Sequence, residues 1–387
     1  MTSSSEPLPP PQPRRTPLEA RSLITQIAVF ALCLGALAAV GLTTVSNLRA
    51  RGIPFGFDFL FDRAGFTVAE TVLPYDPANT NAWAIIVGVG NTLFVSILVA
   101  LASTVLGTGL GIGRLSQNPL VAGFAQVWIE GVRNTPPILL LIFLYTMWWT
   151  LFPAGEVVQL APGVLASIRG VATPSLHGPG YAVPALLIGA SCLVVLITRS
   201  LAGDRVSLRD RATFIPAALV LTAGAALAMA APQINVDWPA RAGADIIGGL
   251  SLTPELFTIV FGLTLYTTGF VAEIVRGGLE AVPRGQWEAA RALGLRSNTT
   301  LRRVIIPQMM RMIIPPMTSQ YINVIKNSTL ALAIGYTDFM TIMGTMINKT
   351  NHAVEGTGLI IAIYLLINLG ASILLDRYNR RAAIRER

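Results

Sequence analysis

GQWEAARALGLRSNTTLRRVIIP (residues 285–307) is the stretch that decides how the rest of the chain is read. Apolar runs lie on both sides of it, yet Arg284, Glu288, Arg291, Arg296, Arg302 and Arg303 crowd together here around Gly294. Residues 286–293 are good helix formers, and Gly294 is placed to end that helix in a left-handed cap. Ser297 or Asn298 can cap a second helix, in which Leu301, Val304 and Ile305 recur at helical spacing before Pro307. Ala289 and Ala290 carry almost no side chain, so another protein can approach closely while Glu288 and the arginines make contacts at the rim. The stretch reads as two short charged helices hinged at glycine, a handle on whatever the apolar runs build.

Those runs build a membrane protein. The chain has 387 residues, 53% hydrophobic and 12% charged, too apolar for a soluble domain of this length. A net charge of +8 raises nucleic acid as a partner, but lysine is confined to Lys326 and Lys349, and the arginines sort by membrane side instead. Cys33 and Cys192 fall inside apolar runs and read as small buried hydrophobes. His177 and His352 stand alone, without metal-site spacing.

A helix needs roughly 20 apolar residues to cross the hydrocarbon core with its backbone internally bonded. Residues 23–45, 83–113, 135–152, 181–198, 212–231, 254–275, 306–334 and 356–375 meet that need. The fold class is therefore all-α, a polytopic membrane helix bundle with about eight crossings. With both termini cytoplasmic, the inner segments collect Arg14, Arg15, Arg21, Arg114, Arg133, Arg199, Arg205, Arg209, Arg211 and the arginines of 276–311 and 377–387. The outer loops keep Arg49, Arg51, Arg63, Arg169 and Arg241, an asymmetry that fixes orientation and puts the 285–307 handle inside.

The domain plan follows. Residues 1–22 form a disordered, Pro- and Ser-rich cytoplasmic start. Residues 23–82 hold an extra helix and an outer segment. Residues 83–376 form the transmembrane domain, with a helix pair inserted near 181–231 and a cytoplasmic loop at 276–307. Residues 377–387 are a cytoplasmic tail. A cleaved signal peptide competes for the N-terminus, but the apolar run is too long and lacks a polar cleavage region.

Several residues attract particular expectations. In VRNTPPILLL, Thr135 is placed to cap a crossing helix with Pro136 at its first position, preceded by an amphipathic lead-in at 120–132 and by Arg133 at the boundary. Phe55, Phe57, Phe59 and Phe61 alternate, which predicts an extended piece with one aromatic face. Asn91 and Thr92 read as helix caps, with a partner contact as the alternative. Glu273 and Arg276 lie one turn apart and read as a helix-surface ion pair, with an inner gate as the second reading. If a crossing helix enters near Pro316, Lys326 lies roughly 15 Å in. Intramembrane charge is costly and marks function, so Lys326 with Asn327, Ser328 and Thr329 is a candidate lining for a zwitterion's path. Snorkelling or a helix C-terminus is the structural alternative for that lysine.

A family resemblance now enters. The order Glu288-Ala289-Ala290, Gly294, Val304, Ile306, Pro307 resembles the cytoplasmic loop of ABC importer permeases: E-A-A, three residues, G, nine residues, I, one residue, L-P. Val stands for Ile and Ile for Leu. The stretches GFVAEIVRGGLEAVPRGQWEAARALGL and PQMMRMIIPPMTSQYINVIKNSTLALAIG look like permeases for polar amino acids, and RNTPP resembles that family's R-G-T-P element, with Asn134 where glycine is usual. The likeness runs from about residue 91 onward, interrupted at 181–231. The N-terminal part with IPFGFDF resembles the larger permease subunits of general L-amino acid and glutamate/glutamine/aspartate/asparagine importers.

What the resemblance implies is a transport subunit and not an enzyme. Gln286, Trp287, Glu288, Ala289, Ala290, Leu293, Gly294 and Leu295 would dock on an ABC ATPase dimer that binds ATP and Mg. This chain has no Gly-Lys-Ser/Thr P-loop and would hold no cofactor itself. A second permease subunit, similar or identical, and a periplasmic binding protein that delivers the amino acid complete the expected assembly, in the lipid of a bacterial cytoplasmic membrane. Arg133, Asn134 and Glu273 join residues 326–329 as the expected substrate pathway. An ion-coupled secondary amino acid transporter is the alternative function. Such proteins carry membrane-embedded acids and interrupted helices repeated in two halves, and no repeated pair is found here. An intramembrane enzyme lacks a nucleophile–base pairing or metal cluster in this sequence, and a scaffold needs no mid-bilayer lysine.

Overall fold

A computed structural model describes residues 17–50, 52, 54–177 and 235–382. The expected crossings at 181–198 and 212–231, Cys192 and the 1–16 start lie outside the described residues. Helix α1 is Pro17–Ala50. Its apolar side chains point outward, with Leu32 and Leu42 each 74% exposed, so the chain itself gives this helix no core. Lipid is the surrounding that makes such a helix stable. Cys33 on α1 is exposed and not buried as the sequence suggested, because an apolar run in a membrane protein can bury itself in lipid as well as in protein.

A strap, residues 54–80, leads to α2 at Asn81–Arg114. The expected strand at the alternating phenylalanines is a 3-10 turn at Asp58–Phe61. It buries Phe59 alone, at 3% exposed, and leaves Phe55, Phe57 and Phe61 in the open. The turn is fixed from outside: Asn81 donates its side-chain amide to the Phe59 carbonyl at 2.8 Å, and the Phe59 ring stacks on His352 at 4.5 Å.

Helix α2 starts at Thr80, whose hydroxyl accepts the Trp83 N–H at 3.3 Å. Helices α3 (Pro119–Arg133) and α4 (Pro137–Leu151) follow and are bent by 101° at the break between them. Asn118 and Pro119 open α3 as cap and first residue. Thr135 does not cap α4; its hydroxyl donates back to the Gly131 carbonyl at 2.8 Å, and Pro136 takes the cap position.

The expectation of an all-α fold needs a correction between α4 and α5, where the described residues form short antiparallel strands. β1 (Val157–Ala161), β2 (Val164–Ser167), β3 (Gly170–Thr173) and, later, β8 (Leu250–Leu252) make one sheet in that order. β4 (Ser175–His177) pairs with β5 (Asn235–Asp237), and β6 (Ala240–Ala242) with β7 (Asp245–Ile247). Runs of three to five residues are too short to show alternation against the long apolar signals around them.

Helix α5 (Pro254–Glu280) begins at Thr253, whose hydroxyl accepts the Leu256 N–H at 3.1 Å. Next come α6 (Arg284–Ala292), α7 (Ser297–Thr300), a wide turn at Leu301–Ile305, and α8 (Ile306–Asn327), which tightens into a 3-10 segment at Ser328–Ile334. Helix α9 (Phe339–Thr350) was not foreseen from sequence; Asp338 caps it by accepting the Thr341 N–H at 2.9 Å. Helix α10 is Ala353–Ala382.

Among the described residues, four helices are long and apolar enough to cross a membrane, and up to six spans result if each bent pair counts as one. The four overlap the expected runs at 23–45, 83–113, 254–275 and 356–375, the expected runs at 135–152 and 306–334 fall on the bent pairs, and the chain is a multi-pass membrane protein. α2 and α5 form its axis, packed so closely that a Cβ at Gly111 would sit 2.5 Å from the Ala272 carbonyl oxygen. A small residue at such a contact lets membrane helices gain packing energy where lipid removes the hydrophobic drive between them.

Candidate functional site

The handle of residues 284–307 keeps the shape read from sequence. α6 ends at Gly294, whose φ of 70° lets the Leu295 N–H reach back to the Ala290 carbonyl at 3.1 Å. The second helix is shorter than expected, and neither Ser297 nor Asn298 caps it; Arg296 takes the cap position without a side-chain bond. The alanine pair is divided. Ala290 is 3% exposed and turned inward beside Trp287, which packs with Val282, Ile305 and Met309. Ala289, Glu288 and Gln286 face out, and Leu293 is 78% exposed. Gln286 also accepts a bond from Gln308 at 3.3 Å, tying α6 to α8. One face of α6 is thus held by its own chain, and the other offers an acid, a small residue and an apolar tip.

About three turns before α6, Glu273 sits among three arginines. Arg276 donates to both of its oxygens, Nε to Oε2 at 3.1 Å and Nη2 to Oε1 at 2.5 Å. Arg114, the last residue of α2, donates to Oε2 at 3.4 Å, and Arg133, the last residue of α3, lies 3.9 Å from it. Arg276 also reaches Glu280 at 2.5 Å, and Arg114 lies 3.7 Å from Glu130. Arg133 further stands over the Phe270 ring at 5.5 Å. The expected i,i+3 pair is therefore present as the centre of a wider neutral network of three arginines and three glutamates. Sequence reading placed Arg114 and Arg133 on one membrane side, and that was the available signal. It missed that both converge on Glu273, along with Glu130 and Glu280. Asn134, next to Arg133, is exposed and forms the end of α3.

Lys326 stands apart from that network. α8 begins at Ile306 and runs on through Pro315 and Pro316, so Lys326 lies about 30 Å along it, not about 15 Å from an entry at Pro316. Its side chain is exposed. The Ser328 hydroxyl donates to the Ile325 carbonyl at 2.7 Å and the Thr329 hydroxyl to the Lys326 carbonyl at 2.8 Å, so both donors are spent on the helix itself. Asn327 is half-buried. A pocket of about 220 Å³ opens elsewhere, between α4, α5 and the sheet, lined by Leu144, Trp148, Phe152, Val171, Phe257 and Phe261. That lining suits hydrocarbon and not a zwitterion.

Asn91 and Thr92 are not caps, since α2 begins ten residues earlier. Asn91 is wholly buried and accepts the Val72 N–H at 3.1 Å while donating to the Glu70 carbonyl at 2.9 Å and the Thr337 carbonyl at 2.8 Å. Thr92 accepts the Phe339 N–H at 3.1 Å. Both pin neighbouring segments to α2.

The charged handle, set on a multi-pass bundle and led by the Glu273 network, has counterparts in known proteins. Residues 103–384 match the family described as binding-protein-dependent transport system inner membrane component. This chain belongs to that family. Within it, the chain is 39% identical over 374 residues to the putative amino-acid ABC transporter permease protein YhdX of Escherichia coli, covering 95% of each. It is 34% identical to the general L-amino acid transport system permease protein AapQ of Rhizobium johnstonii, over 95% of this chain and 93% of that one. It is 35% identical to the glutamate/glutamine/aspartate/asparagine transport system permease protein BztB of Rhodobacter capsulatus, over 95% of each. An ion-coupled secondary transporter is not favoured by this membership.

Proposed function

We propose that this chain is the permease subunit of an ATP-driven ABC importer for polar L-amino acids in the bacterial cytoplasmic membrane. Support for the substrate class comes from the three full-length relatives, all named as amino acid permeases. Support for the mechanism comes from α6, where Glu288, Ala289 and Leu293 are left outward by a helix whose other face is buried in its own chain. In this reading Gln286, Trp287, Glu288, Ala289, Ala290, Leu293, Gly294 and Leu295 form the contact with an ATPase dimer that holds ATP and Mg. Closure of that dimer moves α6, and α5 and α8 carry the movement into the bundle, which opens alternately to each side. A periplasmic binding protein delivers the amino acid, and a second permease subunit completes the path. Arg133, Asn134, Glu273 and residues 326–329 are the proposed contributors to that path from this chain.

The orientation is part of the proposal: α6 and both termini face the cytoplasm, and the strap and sheets face the periplasm. Membrane preparations test it together with the partners. A cysteine at position 289 should crosslink to a co-expressed ATPase, and amino acid uptake should require ATP and a loaded binding protein. Labelling of that cysteine by an impermeant reagent from the periplasmic side would defeat the reading.

A further inference from the structure

Glu273 does more than pair with a neighbour on its own helix. Its carboxylate is where three chain segments meet: α5 through Arg276, the end of α2 through Arg114, and the end of α3 through Arg133. Arg114 and Arg133 bracket α3, and the 101° bend into α4 follows Arg133 directly. On the other side, Arg276 passes the contact on to Glu280, four residues before α6 begins. The side chains of Glu273, Arg114 and Arg276 are roughly three-quarters shielded, which makes their attraction stronger than that of a surface pair.

We infer that Glu273 is the positioning residue through which movement of α6 is passed to α2, α3 and the α3–α4 bend. α5 brings the force as a rigid rod, and the hub distributes it, because displacing Glu273 drags or releases two arginine-tipped helix ends at once. Neutralising the carboxylate leaves Arg276 with Glu280 and Arg114 with Glu130 and removes the one charge that the three arginines share, so the ends separate and the bend no longer follows α5. The inference rests on the importer reading given above.

The test uses the whole importer in proteoliposomes: this chain, the second permease, the ATPase pair and the binding protein, loaded with a radiolabelled mixture of L-amino acids. Glu273→Gln should raise the ATP hydrolysed per amino acid imported at least about fivefold, the scale of a typical coupling between sites. Glu273→Asp, which keeps the charge, should return that ratio toward wild type. Arg114→Gln, which removes one spoke, should raise it less, and should add little when combined with Glu273→Gln. A merely structural role lowers hydrolysis and uptake in step and leaves the ratio alone. An unchanged ratio in Glu273→Gln, with a working wild type, overturns the hub and leaves the importer standing; a wild-type complex that imports nothing on ATP overturns both.

Discussion

The two ends of this bundle are held together by different physics. At the α6 end, helix tips are joined by charged side chains with partial access to solvent, and one face of α6 is left unpaired by the chain. At the strap end, buried amides do the work: Asn91 holds three backbone partners and Asn81 holds the Phe59 carbonyl. Long charged side chains can follow a partner through a displacement, whereas a buried amide with three fixed partners cannot let one go without leaving a bare polar group. The difference teaches which end is built to move.

The largest effect expected from this contrast is functional. Glu288→Lys reverses the charge on the outward face of α6 and touches nothing inside the chain, so uptake by the assembled importer should fall at least about thirtyfold, the scale of a central interface residue. Thermal unfolding of the isolated subunit in detergent should stay where it is. Were the melting temperature to drop as well, α6 would be part of the fold and the contrast between the ends would be gone.

The opposite pattern is expected from Asn91→Leu. Removing the amide leaves the Val72 N–H and the Glu70 and Thr337 carbonyls without their partner, at a cost of about 3 kcal/mol in stability. Denaturant unfolding in mixed micelles measures it. A loss under about 1 kcal/mol would mean that water replaces the amide and that the strap end is as yielding as the other.

Between the two ends lies the α2–α5 contact, and Gly111→Val probes it. The new side chain would meet the Ala272 carbonyl and Val275, forcing the axis helices apart for about 2 kcal/mol. The same unfolding measurement reads it. Because Val275 lies within one turn of Arg276, the Glu273 network should loosen too, which makes this variant a structural control for the hub.

What sequence could and could not show follows the same contrast. The α6 handle was legible because its signals are local: a glycine at the right offset, a charge cluster and an alanine pair within a short span. Four of the spanning runs were legible because each is long and apolar, whereas the bends that break the runs at 135–152 and 306–334 leave no mark in hydropathy. The roles of Asn91, Thr92 and Phe59 were not, because they depend on partners as far away as Thr337, Phe339 and His352. The short strands were missed for want of length, and α9 because it lies beyond the expected 306–334 run, past Gly335 and Asp338. Glu273 was singled out for its neighbour on the same helix; its importance comes from two arginines on other helices, which spacing along one chain segment does not reveal.

The smallest expected effect sharpens the description of the strap end. Glu70 takes the Thr253 N–H on one oxygen, while its other oxygen is buried without a partner. Burial pushes its carboxyl above the ordinary value of 4.5, the Thr253 bonds oppose that shift, and the charge of Glu255 adds to it. A carboxyl that holds its proton more tightly in the folded chain adds stability that is complete below pH 4.5 and disappears as pH rises through its folded value. Stability of the wild type should therefore decline with rising pH across that window by more than in Glu70→Gln, which keeps an acceptor for Thr253 and cannot ionise. Melting temperature against pH for the two proteins checks this, and parallel curves would show that Glu70 ionises as freely as a solvated acid. Even then the neutral bonds of Asn91 would still distinguish the strap end from the ion-linked one, because neither its donors nor its acceptor titrates.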